Sequence, residues 1–351
     1  MNHRLLDSLL DDSVLMFEEL KKFKVISHYL ESYNYEGHEN LKNLCQPFQD
    51  PKNRPSRQLK RSLLTATAVG LRMNPLVRLI LNAPVPWDFL CVHVLNKQKR
   101  ILADSLPTWL QILAELEALM SLANFAYLNP DDTFPEIISE KNFVFQAKDL
   151  GHPLLPDGQR KCNDFAFDSK SGVALITGSN MSGKSTFLKT IGINLCLAFA
   201  GGPVNAQHLQ TSLFRIYTSI KINDSVTDGF SFFYAEVRRL KTLLNELEKD
   251  TPVPVLFLID EIFKGTNNRE RYIGGRSFIQ ALVGKNGLGA VATHDLELTK
   301  LADKIANVRN YHFKEHVEQG KMVFDYKLRP GPCPTTNALK IMRMEGLPVE
   351  S

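Results

Sequence analysis

The sequence has no long apolar run. No stretch of 18 apolar residues occurs among its 351 positions, so no segment is expected to span a bilayer. The nearest candidate, Pro75 to Leu90, is broken by Arg78, Pro84, Pro86 and Asp88. No secretory leader is expected to open the sequence, because Asp11, Asp12, Glu18 and Glu19 interrupt the apolar start. Cysteine is sparse: Cys45, Cys91, Cys162, Cys196 and Cys333 are odd in number and have no C-x-x-C spacing. That argues against a disulfide framework or a zinc site, and for reduced thiols in the cytoplasm or nucleoid. Strong charge of either sign is also missing. The formal net charge is +4, which permits a nucleic-acid partner without requiring one. The first 150 residues hold 17 Lys and Arg against 18 Asp and Glu, leaving 25 against 20 for the rest. Any basic surface is therefore expected mainly in the C-terminal half.

What is present centres on Gly178-Ser179-Asn180-Met181-Ser182-Gly183-Lys184-Ser185-Thr186, which fits the phosphate-loop pattern G-x-x-x-x-G-K-[ST]. Before it, Gly172-Val173-Ala174-Leu175-Ile176-Thr177 reads as a buried strand. After it, Leu188, Ile191, Leu195 and Phe199 recur at helical spacing. Glycines let backbone N–H groups curl around phosphate oxygens, and the helix N-terminus adds its positive dipole end. Lys184 is expected to reach the β- and γ-phosphates, and the Ser185 hydroxyl to sit on Mg²⁺.

Three more stretches carry chemistry. Val255 to Asp260-Glu261 is an apolar strand ending in two carboxylates, about 75 residues after Lys184. There Asp260 can hold Mg²⁺ and Glu261 can orient or deprotonate an attacking water, which favours hydrolysis over transfer to a substrate. Asp228 to Glu236 opens a helix expected to run to about Glu248. Ser231 is either its N-cap or part of a phosphate-binding helix end offered to another subunit, and the residues alone leave both open. Ala290-Val291-Ala292-Thr293-His294 ends a strand in a histidine that suits a γ-phosphate contact or a plain buried hydrogen bond.

Residues 1–135 read as helical and poor in chemistry. Leu5 to Leu20 suggests an amphipathic helix to about residue 30. The basic stretch Asp50 to Arg61 reads as a solvated connector with a helix starting near Ser56. Further helices are expected over 57–81, 87–100 and 107–127, the last opening at Pro107. Glu115 and Glu117, two apart on a helix, point to different faces and read as surface charge. Asn129 to Pro135 is a turn-rich link, Phe143 to Ala147 an expected edge strand, and His152 a turn histidine.

Taken together, GSNMSGKST, GGPVNA, DGFSFFYAE, FLIDEIFKGTNNRE and ATHDLELTKLAD, in that order, resemble the MutS family of DNA mismatch-repair ATPases over roughly residues 140–350. The resemblance implies an α/β P-loop NTPase domain of the ABC type at 136–351, preceded by an all-α core- or lever-like domain at 1–135. It implies ATP and Mg²⁺ as ligands, with Gly178 to Thr186 around the triphosphate, and Ser185 and Asp260 at the metal. In the same pattern Lys184 and Glu261 act in catalysis, His294 senses the γ-phosphate, and Ser231 acts in trans across a head-to-tail dimer. Gly265-Thr266-Asn267 would line that interface, and Tyr326 would stack on adenine. The partner would be a second copy or a MutS-like paralogue, with DNA as the larger target.

Departures from the family are also expected. The sequence is expected to leave no room for an N-terminal mismatch-reading domain, its clamp helices look absent or severely shortened, and it is expected to stop near Gly346-Leu347-Pro348, before the family's helix-turn-helix segment. The chain reads either as complete or as a fragment of a longer protein. Two rivals stand beside a DNA-repair ATPase: the same motor acting on a non-DNA or membrane-associated partner, and a non-catalytic nucleotide-gated scaffold.

Overall fold

A computed structural model of the chain describes residues 21–51, 54–70, 76, 80, 87–139, 143–167, 172–179, 181–220, 232–263, 265–318 and 321–334. The chain divides into two compact units, Met1–Ser121 and Leu122–Ser351. No described helix is long and apolar enough to cross a membrane, and Cys45, Cys162, Cys196 and Cys333 are free.

The described part of the first unit consists of helices and their connections. Residues 21–32 are helical, followed by α1 (Glu39–Leu44), α2 (Gln46–Gln49), α3 (Pro55–Gly70) and the start of α4 (Trp87–Leu128). Phe23, Cys45, Phe48, Leu59, Leu102, Trp109 and Ile112 form its core. The expected start near Ser56 has a specific anchor. The Ser56 N–H and hydroxyl donate to the two carboxylate oxygens of Glu31 at 2.7 and 2.6 Å, supplying the acceptor that a helix N-terminus lacks.

Pro107 does not open a helix as the sequence pattern suggests. It lies inside the single 42-residue α4, which joins the two segments expected at 87–100 and 107–127. An interior proline costs roughly 3 kcal/mol through its missing N–H and ring clash. Burial of Leu102, Trp109 and Ile112 on either side of it offsets that cost. Glu115 and Glu117 are both exposed, as surface charges should be.

The second unit is mixed α/β. Its main sheet has the order β10-β9-β4-β8-β7-β6. β4 (Val173–Thr177) pairs in parallel with β8 (Gly287–Thr293) and β9 (Val308–Glu318). β7 (Val255–Asp260) pairs in parallel with β8 and with β6 (Arg215–Ser219), and β10 (Lys321–Pro330) closes the edge antiparallel to β9. Every residue of β4 and β8 is buried, the mark of a sheet covered on both faces.

Alternation along the strands sorts their side chains into two layers. Ala174, Ile176, Leu256, Leu258, Ala290 and Ala292 face one core with Leu188, Ile191 and Leu195 of α5 (Lys184–Phe199). Val173, Leu175, Val255, Phe257, Ile259 and Val291 face the other, with Leu240 and Leu243 of α6 (Phe232–Leu247) and Ile279 of α7 (Asn268–Leu282). Each fully buried aliphatic contributes about 1.5–3 kcal/mol. Gly289 permits β8 to lie against β7, since a Cβ there would fall 2.0 Å from the Phe257 carbonyl oxygen.

A smaller sheet has the order β1-β5-β2-β3, with β1 (Glu136–Ile138), β2 (Phe145–Leu150), β3 (Asn163–Phe167) and β5 (His208–Ser212). The strand expected at an edge, Phe143 to Ala147, corresponds to β2, and it is an inner strand between β3 and β5. Its Phe145, Ala147 and Leu150 are buried against Phe165 and Phe167, so one face has the apolar pattern that a solvent edge would not need. This sheet brings Leu150 and Asn163 to a cavity beside the Gly178–Thr186 loop.

Candidate functional site

Three backbone positions bend the loop between β4 and α5. Gly178 has φ 150°, Met181 φ 68° and Gly183 φ 107°. A side chain at Gly178 would meet Ser182 Oγ at 2.7 Å and the Phe313 carbonyl at 2.9 Å, so glycine is required there on steric as well as conformational grounds. Lys184, the first residue of α5, is 5% exposed and folds its ammonium back under the loop. Its Nζ donates to the carbonyl oxygens of Gly178 at 2.7 Å and Ser179 at 2.8 Å.

Burial lowers the Lys184 pKa, against the opposing pull of the Glu261, Asp260 and Glu315 carboxylates. Ser182 Oγ is buried with no hydrogen-bond partner among the described residues, and Ser182 lines the cavity. An oxyanion held in the loop would satisfy that hydroxyl. Gly183 caps α5 with no side-chain hydrogen bond among the described residues, and the first N–H groups of a helix have no partner within it.

The cavity beside this loop has a volume of about 730 Å³. Ser179, Met181, Ser182, Gly183, Lys184, Ser185, Thr186 and Glu261 line it on one side, with Leu150, His152, Gln159, Lys161, Asn163 and Tyr326 elsewhere around it. Asn180 and Ser231 lie outside the described residues.

Tyr326 sits in a bulge of the β9–β10 ladder with φ 54°, an uncommon conformation for an aromatic residue. Asn163 holds it: its Nδ2 donates to the Tyr326 carbonyl at 3.0 Å, and its Oδ1 accepts from the Leu328 N–H at 2.7 Å. The ring lies so close to Gly183 that a Cβ there would be 3.1 Å from Tyr326 Cδ1. The family resemblance pointed to Tyr326; it did not point to Asn163, whose side chain holds the bulge that carries it.

At the sheet's carboxyl end, Asp260 is the last residue of β7 and pairs in register with Ala292. The chain then turns through Glu261, φ 64°, whose N–H donates to the Ala292 carbonyl at 2.9 Å. His294 follows β8, and its Nδ1 lies 3.1 Å from Glu261 Oε1. Two residues separated by more than thirty positions are thus brought together because β7 and β8 are neighbours.

Sequence reasoning missed Glu315. It is 2% exposed, and its Oε2 accepts from the Ser179 hydroxyl at 2.9 Å. No motif marks it; only the β4–β9 pairing places it beside the loop. His152 occupies a turn, its Nδ1 accepting from the Leu154 N–H at 3.2 Å. Burial and the charges of Lys189 and Arg160 hold its pKa below the usual histidine range. Asn267 caps α7 by accepting from the Glu270 N–H at 3.0 Å, so it has a local task whatever it meets in an assembly.

No group of three or more His, Cys, Asp or Glu side chains poised for a metal occurs among the described residues. A hydroxyl and one or two carboxylates, completed by water, are a donor set that suits Mg²⁺.

The family model for MutS domain V matches residues 174–351. The chain is similar to the DNA mismatch repair protein MutS of Lactobacillus johnsonii, with 28% identity over 277 residues, 77% of this chain and 32% of that protein. Its similarity to the protein of the same name from Natronomonas pharaonis is 28% over 240 residues, 67% of this chain and 27% of the relative. For the one from Streptococcus pyogenes it is 28% over 269 residues, 74% and 30%. The chain therefore spans about a third of the length of the curated relatives it matches.

Proposed function

This chain belongs to the MutS family, and from that premise we propose that residues 136–351 are a P-loop ATPase domain of the ABC type that binds ATP with Mg²⁺ and hydrolyses it. The observation that carries the reading is the cradle of Lys184. A buried cation meets, on one cavity that Glu261 also lines, a buried hydroxyl and a helix N-terminus that have no partner and no side-chain cap among the described residues. That set suits a polyanion.

In this reading Gly178 to Thr186 surround the triphosphate. Lys184 exchanges the Gly178 and Ser179 carbonyls for β- and γ-phosphate oxygens. Ser185 and Asp260 would hold Mg²⁺, which supplies charge neutralisation of the phosphates. Glu261 orients or deprotonates the attacking water, and His294, held beside it, senses the γ-phosphate. Tyr326 is the adenine platform. Ser231 completes the site from a second copy or a MutS-like paralogue, so ATP binding draws two ATPase faces together and hydrolysis releases them. Differential affinity for the closed state, supplied by Ser231 and His294, is the physical requirement for such closure.

The helical residues 1–135 would convert closure into movement at a DNA-contacting end, in DNA repair or recombination. The relatives' shared name, DNA mismatch repair protein, supports DNA as the target. Phosphate release measured against protein concentration, with and without homoduplex, mismatched and branched DNA, tests the whole reading. Turnover should rise more steeply than linearly with protein and respond to DNA. DNA affinity should fall steeply between two salt concentrations. Nucleotide binding without phosphate release would leave only a nucleotide-gated scaffold, and an ATPase indifferent to DNA would point to a different partner.

A further inference from the structure

Glu236 is a buried acid that the scheme above does not use. It lies on α6, one turn after the helix begins, and is 2% exposed. Its Oε1 accepts from the backbone N–H of Phe263 at 2.7 Å. That N–H belongs to the turn that follows β7, where Glu261 and Phe263 both adopt left-handed backbone, φ 64° and 58°, around the buried Ile262. Two non-glycine residues in that region persist only when the surroundings hold them.

The surroundings are α6 and α7. A Cβ on Gly265 would fall 2.9 Å from Phe233 Cβ, so α6 packs closely on the chain just beyond the turn. The Phe263 ring lies between Phe233 and Phe278, with centroids 6.3 Å from each, and against Gly274 of α7. The aromatic contacts hold the Phe263 ring, edge-on against Phe278, whereas the Glu236 carboxylate holds the Phe263 N–H and so fixes the peptide two residues after Glu261.

We propose that Glu236 is a positioning residue for hydrolysis: by holding Phe263 N–H it sets the left-handed turn that aims Glu261 at the attacking water. This rests on the reading of Glu261 as the water-activating carboxylate.

The test uses the full 351-residue chain and its Glu236→Gln, Glu236→Met and Glu236→Ala variants. ATP turnover, binding of a fluorescent ATP analogue, thermal melting and hydrogen exchange at the Phe263 amide are measured for each. Gln keeps the acceptor oxygen, and Met keeps the length without it. Met and Ala should lower kcat by about 10- to 100-fold, the scale of a small misplacement of a reacting group. Analogue affinity should stay within about threefold, and Phe263 exchange should accelerate. Gln should stay within about threefold of the parent in kcat and retain slow exchange.

A folded Met variant that turns over like the parent overturns the assignment. So does a Gln variant as slow as Met, or a loss shared equally by binding and turnover. If neither Met nor Ala folds while Gln does, the role is stability and the assignment fails. A parent that binds the analogue but releases no phosphate removes the ATPase reading itself, a result visible before any variant is made.

Discussion

Glu261 Oε1 lies 3.1 Å from Nδ1 of His294, and the two sit at the ends of adjacent parallel strands. The carboxylate is mostly buried and the imidazole is partly exposed, 18% and 42% by side chain. Glu261, the more buried member, is the one that lines the cavity beside the Gly178–Thr186 loop. Glu261→Gln should retain ATP binding, reduce phosphate release by at least about 100-fold and trap the closed dimer. Size-exclusion chromatography with ATP, alongside a phosphate-release assay, checks both. Normal turnover in this variant would remove Glu261 from the role of base.

Lys184→Ala should abolish the nucleotide-dependent rise in melting temperature. A ligand at 100 times its Kd stabilises by about 2.7 kcal/mol, a shift that scanning fluorimetry resolves. An unchanged shift in the variant would place the triphosphate elsewhere.

Burial lowers the Lys184 pKa below its ordinary value of 10.5 in the ligand-free protein. Between the lowered value and 10.5 the unfolded chain binds more protons than the folded one. This group's contribution to stability therefore rises with pH across that window. Nucleotide binding needs the charged form, so ATP affinity should decline with rising pH before an ordinary lysine would lose its proton. Calorimetric titrations at several pH values above 7, compared with Lys184→Arg, would reveal the trend. Affinity independent of pH up to 10.5 would contradict it.

Tyr326→Ala should weaken ATP binding by about 1–3 kcal/mol, the range for base–aromatic stacking, and leave inorganic triphosphate binding nearly unchanged. Asn163→Ala should give a smaller effect of the same kind, since it frees the bulge that positions the ring. Equal losses for ATP and triphosphate would show that the ring does not meet the base.

Two glycines give opposite stability outcomes. Gly289→Ala places a Cβ 2.0 Å from the Phe257 carbonyl oxygen inside the main sheet, and should cost about 3 kcal/mol or more. Gly158→Ala meets nothing within 4 Å and should be neutral or stabilise by about 0.4–1 kcal/mol. Urea unfolding of the two variants measures the contrast.

Local patterning alone determined a good deal. The glycines before Lys184, the apolar β4, the strand ending in Asp260-Glu261 and the helical spacing after Thr186 are short-range signals, and each describes one element and its cap. Those signals were enough to indicate a mixed α/β unit with a glycine-bearing turn between β4 and α5. The contacts across elements were decided by tertiary structure. Parallel pairing sets His294 beside Glu261 and Glu315 beside Ser179, because register, not sequence distance, fixes what meets at a sheet's end. Packing also kept α4 unbroken through Pro107, since burial of Leu102, Trp109 and Ile112 outweighs a local preference to stop. It made β2 an inner strand because neighbours on both sides supply its hydrogen bonds. Propensity and motif are properties of a few consecutive residues, whereas a hydrogen bond such as Glu236 to Phe263 depends on two remote segments being folded at once.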